Sequence, residues 1–457
     1  MKIIILGAGQ VGSSVTQILA GEANDITVVD RQPELLKELQ DHLDIRTVTG
    51  HAAHPDVLLQ AGIADADMVL AVTNSDETNM IACQAAHTLF HTPTRLARVR
   101  SQDYLTHPEL FSPTAVPIDV LISPEQLVTN FIRNLIEQPG VLQILDFLDG
   151  KVQLVVVQAH HGGPLVGHAL RSLGEQFAKL ETRVIAIFRR DHAIIPDGDT
   201  LIAAGDEIFL LAARRDIPAI VRTFRLSDKP NRRVFIAGGG NIGKYLAELI
   251  ETKYRVKIIE REPGRCRYLA EHLHRAIVLQ GDAGDAALLK GENIEYTDVF
   301  CAVTNDDAAN ILAAMLAKRL GARKTIAIIN RPSYIDLAQG TAVDIAVSPA
   351  QVTIGALLTH IRRGDVVAVH SLRRGGAEAI EVIAHGDRQT SRVVGRRIDE
   401  LPLPGGTTIG VLSRKDKLLF PRRDTVIETD DHIVIFLAEK RRIAEVERLF
   451  QVAITFI

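Results

Sequence analysis

The sequence predicts an α/β chain made by tandem duplication, each half a doubly wound parallel sheet domain followed by a small β-rich α+β module. Three observations carry that prediction. The apolar run Ile3-Ile4-Ile5-Leu6 enters Gly7-Ala8-Gly9-Gln10-Val11-Gly12, and a second β-like run ends in Asp30, giving strand, glycine turn, helix, strand. The same order recurs at Val234-Phe235-Ile236-Ala237, Gly238-Gly239-Gly240-Asn241-Ile242-Gly243 and Lys257-Ile258-Ile259-Glu260. The match then runs on past the glycines. Gly50 answers to Gly281, Ile63 to Ile294 and Ala71-Val72-Thr73-Asn74 to Ala302-Val303-Thr304-Asn305, at one offset of 231 (238 − 7). Ser123-Pro124-Glu125-Gln126 matches Ser348-Pro349-Ala350-Gln351, and Pro196, Asp199, Thr200 and Asp206 match Pro421, Asp424, Thr425 and Asp431, at 225 (348 − 123). So long an ordered series marks an internal repeat rather than two convergent turns.

Taken in order, helix Val11–Leu19 leads to strand Ile26–Asp30, and Pro33 opens a helix with Leu35, Leu36, Leu39 and Leu43 at helical spacing. Strands Ile45–Val48, Met68–Val72 and Leu96–Val99 then alternate with helices Pro55–Ala61 and Asp76–Phe90. That alternation is the pattern of a Rossmann-like sheet, which binds ligands at the carboxyl ends of its strands. The glycine turn, Asp30, Thr73 and Asn74 all fall at such ends. Ser75 is either an N-cap for the next helix or a further ligand. Ser123-Pro124 starts a crossover helix whose Leu127, Val128, Phe131, Ile132, Leu135 and Ile136 form a wide apolar stripe, expected to pack on its own sheet or on a second copy. Its counterpart runs from Pro349 to Arg363 with Val352, Ile354, Leu357, Leu358 and Ile361. Pro139-Gly140 ends the first helix. Runs Leu154–Val157, Val184–Phe188 and Glu207–Leu211, separated by acidic turns such as Pro196-Asp197-Gly198-Asp199, build the small module, expected from about Gly150. Ser227–Asn231 reads as a linker. The expected domains are 1–140, 141–225, 232–363 and 364–457.

Length and composition bound the function. A chain of 457 residues exceeds a single core, and 46% hydrophobic with 24% charged residues is ordinary globular composition. The net charge of −4 opposes bulk nucleic-acid attraction, so the pairs Arg362-Arg363, Arg373-Arg374 and Arg422-Arg423 are read as solvated faces. Cys83, Cys266 and Cys301 lie far apart, which predicts neither disulfide framework nor zinc site. His87 and His91 are spaced i, i+4 without an acidic partner motif and are read as surface residues, as are His51 and His54. No apolar run reaches the roughly 20 residues of a membrane span, and the first strand begins at once, leaving no room for a signal peptide. A reducing cytoplasm is expected.

The glycines specify chemistry. Gly7 permits the tight turn, Gly9 lets a pyrophosphate approach the backbone, and Gly12 lets the helix pack closely. Helix N-terminal amides then face the phosphates. Asp30 can accept from a ribose 2′-hydroxyl and repels a 2′-phosphate, favouring NAD over NADP.

Duplicated glycine-turn domains with an Ala-Val-Thr-Asn box, each trailed by a small β-rich module, resemble the RCK (KTN) regulators of bacterial potassium uptake over essentially the whole chain. The resemblance implies a first nucleotide site at Gly7, Ala8, Gly9, Gln10, Val11, Gly12, Asp30, Thr73, Asn74 and Arg98, where a guanidinium at a strand end can reach phosphate. NAD(H) is the implied ligand, with ATP or ADP as the alternative. It also implies a homo-oligomer, a dimer or a tetrameric ring, at the cytoplasmic face of the inner membrane, gating a Trk-type potassium-translocating subunit. The second site would use Gly238, Gly239, Gly240, Asn241, Ile242, Gly243, Glu260, Thr304 and Asn305. It departs at His51, which faces Asp282 in the repeat, and at Arg98, aligned with Ile329. A nucleotide there, or a purely structural copy, are both open.

The competing class is an NAD-dependent oxidoreductase. Hydride transfer needs an acid or base and a substrate pocket facing the nicotinamide. The chain has neither a Tyr-xxx-Lys pair nor a large substrate domain, so no catalytic residue is assigned and no enzyme is expected. No metal site is assigned either.

Overall fold

The computed structural model describes residues 1–20, 24–138, 140–159, 163, 165–172, 180–189, 192–223, 231–339, 342–361, 366–372 and 376–451. Pro139, the expected linker up to residue 230 and the pairs Arg362-Arg363 and Arg373-Arg374 lie outside the described residues. Arg422 and Arg423 are exposed. The chain forms two compact units, Met1–Val128 with Ser348–Leu357, and Thr129–Val347 with Leu358–Ile457.

In the first unit the strands are β1 (Lys2–Leu6), β2 (Asp25–Asp30), β3 (Arg46–Thr49), β4 (Met68–Ala71), β5 (Thr94–Arg98) and β6 (Val120–Ile122). They are all parallel, in the order β3-β2-β1-β4-β5-β6. The chain winds outward from β1 one way and from β4 the other, so the switch point lies at the glycine turn, where such sheets bind ligands. β1 is central, with Ile4 beside both Thr27 and Val69. Both of its faces are covered, which is why Ile3 to Leu6 is apolar without alternation. Ile4, Leu6, Val69 and Ala71 share one core with Ala82, Cys83 and Ala86 of helix Asp76–Thr88. Small residues on that helix let it lie close to the sheet.

The second unit repeats this sheet. Strands β12 (Arg233–Ala237), β13 (Arg255–Glu260), β14 (Ile277–Gln280), β15 (Val299–Ala302), β16 (Lys324–Ile328) and β17 (Ile345–Val347) lie in the order β14-β13-β12-β15-β16-β17. It also holds two antiparallel sheets. The first contains β7 (Val141–Phe147), β8 (Val152–Gln158), β9 (Thr182–Arg189), β10 (His192–Ile194) and β11 (Glu207–Ala213), ordered β10-β9-β11-β8-β7. The other contains β18 (Val366–Leu372), β19 (Ala377–Ala384), β20 (Thr407–Arg414), β21 (Lys417–Leu419) and β22 (Asp431–Leu437), ordered β18-β19-β22-β20-β21. The two sheets share one core, in which Phe147, Phe188 and Phe209 meet Leu372, Val411 and Phe436. The rings of Phe209 and Phe436 stand 5.9 Å apart. Helix Ile217–Thr223 covers the other face of the first sheet through Ile217 and Ile220.

The crossover helices divide between the two units. Val128, Ile132, Leu135 and Ile136 are buried within the chain itself. Helix Pro124–Glu137 changes unit at Val128, and its second part is bound to the second half. Asn231 Nδ2 donates to Ile136 O at 2.6 Å, Lys324 Nζ to Val141 O at 3.0 Å, and Lys253 pairs with Glu137 at 3.0 Å. Conversely, Ser348–Leu357 belongs with the first sheet domain. Four of the six stripe residues are therefore covered within the chain, while Leu127 and Phe131 keep part of their surface in solvent.

Candidate functional site

Gly7 closes β1 at φ +110°, and its amide donates to Val29 O at 2.8 Å. A Cβ on Gly12 would stand 1.9 Å from Gly7 O, so helix and turn meet only because that residue is glycine. Gly9 differs: a Cβ there would meet nothing within 4 Å. The turn thus presents open space at the glycine assigned to the pyrophosphate. Gln10 and Val11 begin helix Gln10–Ala20, whose N-terminal end carries the positive pole of the helix dipole and suits an anion.

Asp30 ends β2 and already holds the turn. Its Oδ2 accepts from Ala8 N at 2.7 Å and its Oδ1 from Gln32 N at 2.9 Å. An ionised carboxylate has about four acceptor positions, so two remain for a diol. Ser13 Oγ donates to Ala8 O at 2.6 Å, fixing the next peptide of the turn.

Thr73 follows β4, and the residue that fixes it is one the sequence did not single out. Asn79, fully buried in helix Asp76–Thr88, accepts from Thr73 N at 2.9 Å and Thr73 Oγ1 at 2.7 Å. Its Nδ2 donates to Thr73 O at 3.2 Å and to Arg98 O at 2.8 Å. One amide thereby ties the ends of β4 and β5 together. Asn74 is exposed, and its carbonyl accepts from Arg100. Ser75 is an N-cap, its hydroxyl accepting from Thr78 N at 3.1 Å. Arg98 stands at the β5 end with its Nε buried and without a hydrogen-bond partner among the described residues. Burial pushes its guanidinium below the ordinary value, as does Arg100, against an upward pull from Glu125 and Asp76. A buried guanidinium nitrogen left unpaired costs free energy, and a phosphate would relieve it.

The second half repeats the turn. Gly238 has φ +110°, and a Cβ on Gly243 would stand 1.9 Å from Gly238 O, while one on Gly240 would meet nothing within 4 Å. Glu260 accepts from Gly239 N at 2.8 Å and Arg261 N at 2.7 Å. Asn241 and Ile242 open helix Asn241–Ile250. Asn310 reproduces Asn79, accepting from Thr304 N at 2.9 Å and Thr304 Oγ1 at 2.6 Å and donating to Ile328 O at 2.9 Å. Asn305 is exposed.

That last bond corrects the pairing of Arg98 with Ile329. Ala97 lies opposite Ala71, and Ala327 opposite Ala302, so the strand register equates Arg98 with Ile328. The repeat has lost one residue between the helix and this strand, which an offset fixed at 231 does not follow. The second half still carries an apolar residue where the first has its guanidinium.

Outside the turns, the rings of His51 and His54 stack at 4.6 Å, and burial, then His54 and Arg31, lower the His51 pKa. No cluster of His, Cys, Asp or Glu suited to a metal occurs among the described residues. Burial pushes the Cys83 and Cys301 thiols up to about 12, so both are inert at neutral pH. Among the described residues no helix is long and apolar enough to cross a membrane.

The TrkA-N domain model matches residues 3–124 and 234–349, and the TrkA-C domain model residues 154–225 and 389–451. Trk system potassium uptake protein TrkA of Halomonas elongata is 58% identical over 456 residues, covering 100% of each chain. Its namesake in Vibrio alginolyticus is 55% identical over 99% of each. Among solved structures, the GsuK RCK domain superposes with a TM-score of 0.62 at 19% identity, over 98% of this chain and 94% of that one. The GsuK channel bound to NAD gives the same TM-score and identity over 98% and 78%. Two matches each to the TrkA-N and TrkA-C models, with full-length identity above half, show that the chain belongs to the family of Trk system potassium uptake proteins TrkA, regulatory components of transport and not enzymes.

Proposed function

We propose that this chain is the cytoplasmic nucleotide-sensing subunit of a Trk-type potassium uptake system, peripheral to the inner membrane, binding NAD(H) in its first half and gating the potassium-translocating subunit. The observation that carries the nucleotide is the buried, unpartnered Arg98 Nε, on the same edge of the sheet as the open Gly9 turn and Asp30. Asp30 takes the ribose diol, the helix amides take the pyrophosphate, and Arg98 supplies the opposite charge. ATP and ADP offer the same adenosine and phosphates, and are the competing ligands. A nucleotide moves the gate only as far as its affinities for the two states differ. The assembly is a homo-oligomer, a dimer or a ring of four.

Calorimetric titration of NADH, NADPH, ATP and ADP into the whole chain tests this reading. NADH is expected to bind more tightly than NADPH. Asp30→Ala is expected to weaken NADH by about 1.5 to 3 kcal/mol, the worth of a hydrogen bond to a charged group, and to narrow the gap to NADPH. Unchanged NADH affinity in the variant would remove the site from this turn. Sustained oxidation of NADH by a small carbonyl compound, abolished by Gly9→Val, would replace regulation with catalysis.

A further inference from the structure

The edges at which strands enter the two parallel sheets carry opposite charge. In the second half Arg233 on β12 lies in register with Arg255 on β13. Lys257 of β13 lies in register with Ile277 of β14, so Arg275, two residues before Ile277, continues the row beside Arg255. Three arginines thus enter three adjacent strands side by side, and at a strand spacing of about 4.8 Å the row spans about 10 Å. In the first half the same register sets Lys2 opposite Asp25 and places Asp44 next in line, two residues before Arg46, the partner of Thr27. The backbone is repeated, but two of the three positions have the other sign.

Arg233, Arg255 and Arg275 are all exposed, and none makes an ion pair among the described residues. The acids around them are already engaged. Asp298, at the entry of β15, accepts from Arg232 N at 2.6 Å and Arg233 N at 2.9 Å and pairs with Arg323 at 3.1 Å. Glu292 pairs with Lys257 at 2.7 Å, and Glu251 accepts from the amides of His274, Arg275 and Ala276. Like charges directly opposite on neighbouring strands are destabilising, so nothing in the fold of this half calls for the row. Apolar groups flank it. Tyr296 is 60% exposed, with the Arg233 guanidinium 5.5 Å over its ring, and Ile277 is 54% exposed. The first half has Asp65 and Arg46 at those two positions.

We infer that this edge of the second sheet domain rests on an anionic phospholipid surface, with Arg233, Arg255 and Arg275 on the headgroup phosphates and Tyr296 and Ile277 at the boundary with the acyl chains. This rests on the reading above that the chain is peripheral to the inner membrane, and adds that it touches lipid directly. Unpaired cations beside an exposed tyrosine and an exposed aliphatic suit a surface that is anionic outside and apolar just beneath. The acidic edge of a second copy would match the charge through Asp25 and Asp44, but would set Asp65 and Arg46 against the apolar pair. Each cation near an anionic leaflet strengthens binding by about fivefold.

Co-sedimentation of the whole chain with vesicles of phosphatidylethanolamine and phosphatidylglycerol, against vesicles of phosphatidylcholine, decides it. The wild type is expected on the anionic vesicles alone, and to leave them as salt shortens the Debye length. Arg233→Gln, Arg255→Gln and Arg275→Gln together are expected to weaken that binding on the order of a hundredfold, with the unfolding midpoint and NADH affinity retained, because all three side chains are exposed and unpaired. Arg255→Gln alone, expected to weaken it about fivefold, serves should the triple variant fail to fold. Equal binding to phosphatidylcholine, or a triple variant that binds as the wild type does, would overturn the inference. A wild type that ignores both vesicles, with a triple variant of altered oligomer mass, would overturn it and assign the row to a contact between copies. A chain that ignores lipid but sediments with vesicles carrying the potassium-translocating subunit would lose this inference and keep the peripheral reading. Sedimentation with neither would overturn both.

Discussion

Asn79 and Asn310 occupy the same place in the two halves and make the same bonds, which makes them the sharpest test of how single residues hold the sites. Each satisfies a threonine amide and a strand-end carbonyl that would otherwise be buried unpaired. Asn79→Leu is expected to cost about 1 to 3 kcal/mol for each orphaned group, read as a fall in the urea midpoint, and to weaken NADH through the loosened β5 end. A variant with wild-type stability and affinity would show that Thr73 and Arg98 are held by something else. This residue was not legible beforehand, because a polar residue within a helix looks the same whether it faces water or two strand ends. The glycines and Asp30 were legible because the backbone itself demands them: no other residue fits 1.9 Å from the Gly7 carbonyl. Ile328 was not, because a one-residue deletion changes the offset and only strand pairing shows where.

Among the elements, the long parallel strands and their helices were legible from apolar runs and caps, whereas β6, β7 and β17 were not. β6 and β17 have three residues each, too few to show a period. β7 carries a bulge between Val141 and Gln143, which breaks the alternation that would identify it. The crossover stripe was legible, but its partner was not, because periodicity shows an apolar face and not what covers it. Leu135→Asp is accordingly expected to destabilise the fold by about 3 to 5 kcal/mol, the cost of an uncompensated buried charge, without splitting an oligomer. Thermal unfolding with mass measured on the folded fraction separates the two; a dissociated but equally stable variant would return the helix to an intermolecular role. The small modules carry their own repeated pin. Arg189 and Arg414 each bind an aspartate, Asp206 and Asp431, through two nitrogens at 2.8 Å. Burial alone would raise the Asp206 carboxyl, but the bonds from Arg189 and Ala203 N outweigh it and hold it below the ordinary value. A depressed folded value means that the stabilisation is complete above the unfolded carboxylate value of about 3.9 and is lost as pH falls through the lower folded value. Urea midpoints from pH 6 down to 3 are expected to fall more steeply in the wild type than in Asp206→Asn. Parallel acid limbs would assign the loss to other carboxylates.

At the scale of the whole molecule, duplication settles what each chain satisfies internally and what it leaves for others. The inner faces of the two antiparallel sheets are covered within the chain, as are Val128, Ile132, Leu135 and Ile136 of the first crossover stripe. Matched aliphatic side chains remain in water at two places among the described residues: Leu201 and Val426 in the small modules, and, on the sheet-domain helices, Ile81 of Asp76–Thr88, 55% exposed, and Leu312 of Asp307–Arg319, 64% exposed. Single exposed aliphatics need no explanation, but the same outward position kept apolar in both halves is a repeated cost in water. Each of the helices that carry Ile81 and Leu312 begins at the Thr-Asn box beside its own glycine turn, and Asn79 and Asn310 fasten it to the strand ends. A contact between copies through these helices would therefore couple each turn directly to the arrangement of the copies. Ile81→Glu with Leu312→Glu is expected to reduce the oligomer to a smaller species by light scattering, with unfolding midpoint and NADH affinity of the first turn retained, because both side chains already face solvent. The same variant is expected to fail to restore growth at low potassium in a strain lacking the chain, since a signal read at the turns would no longer be pooled across copies. If the double variant keeps the native mass and supports growth, the assembly runs through another surface. If it changes mass but still supports growth, assembly and potassium uptake are separate properties of the chain.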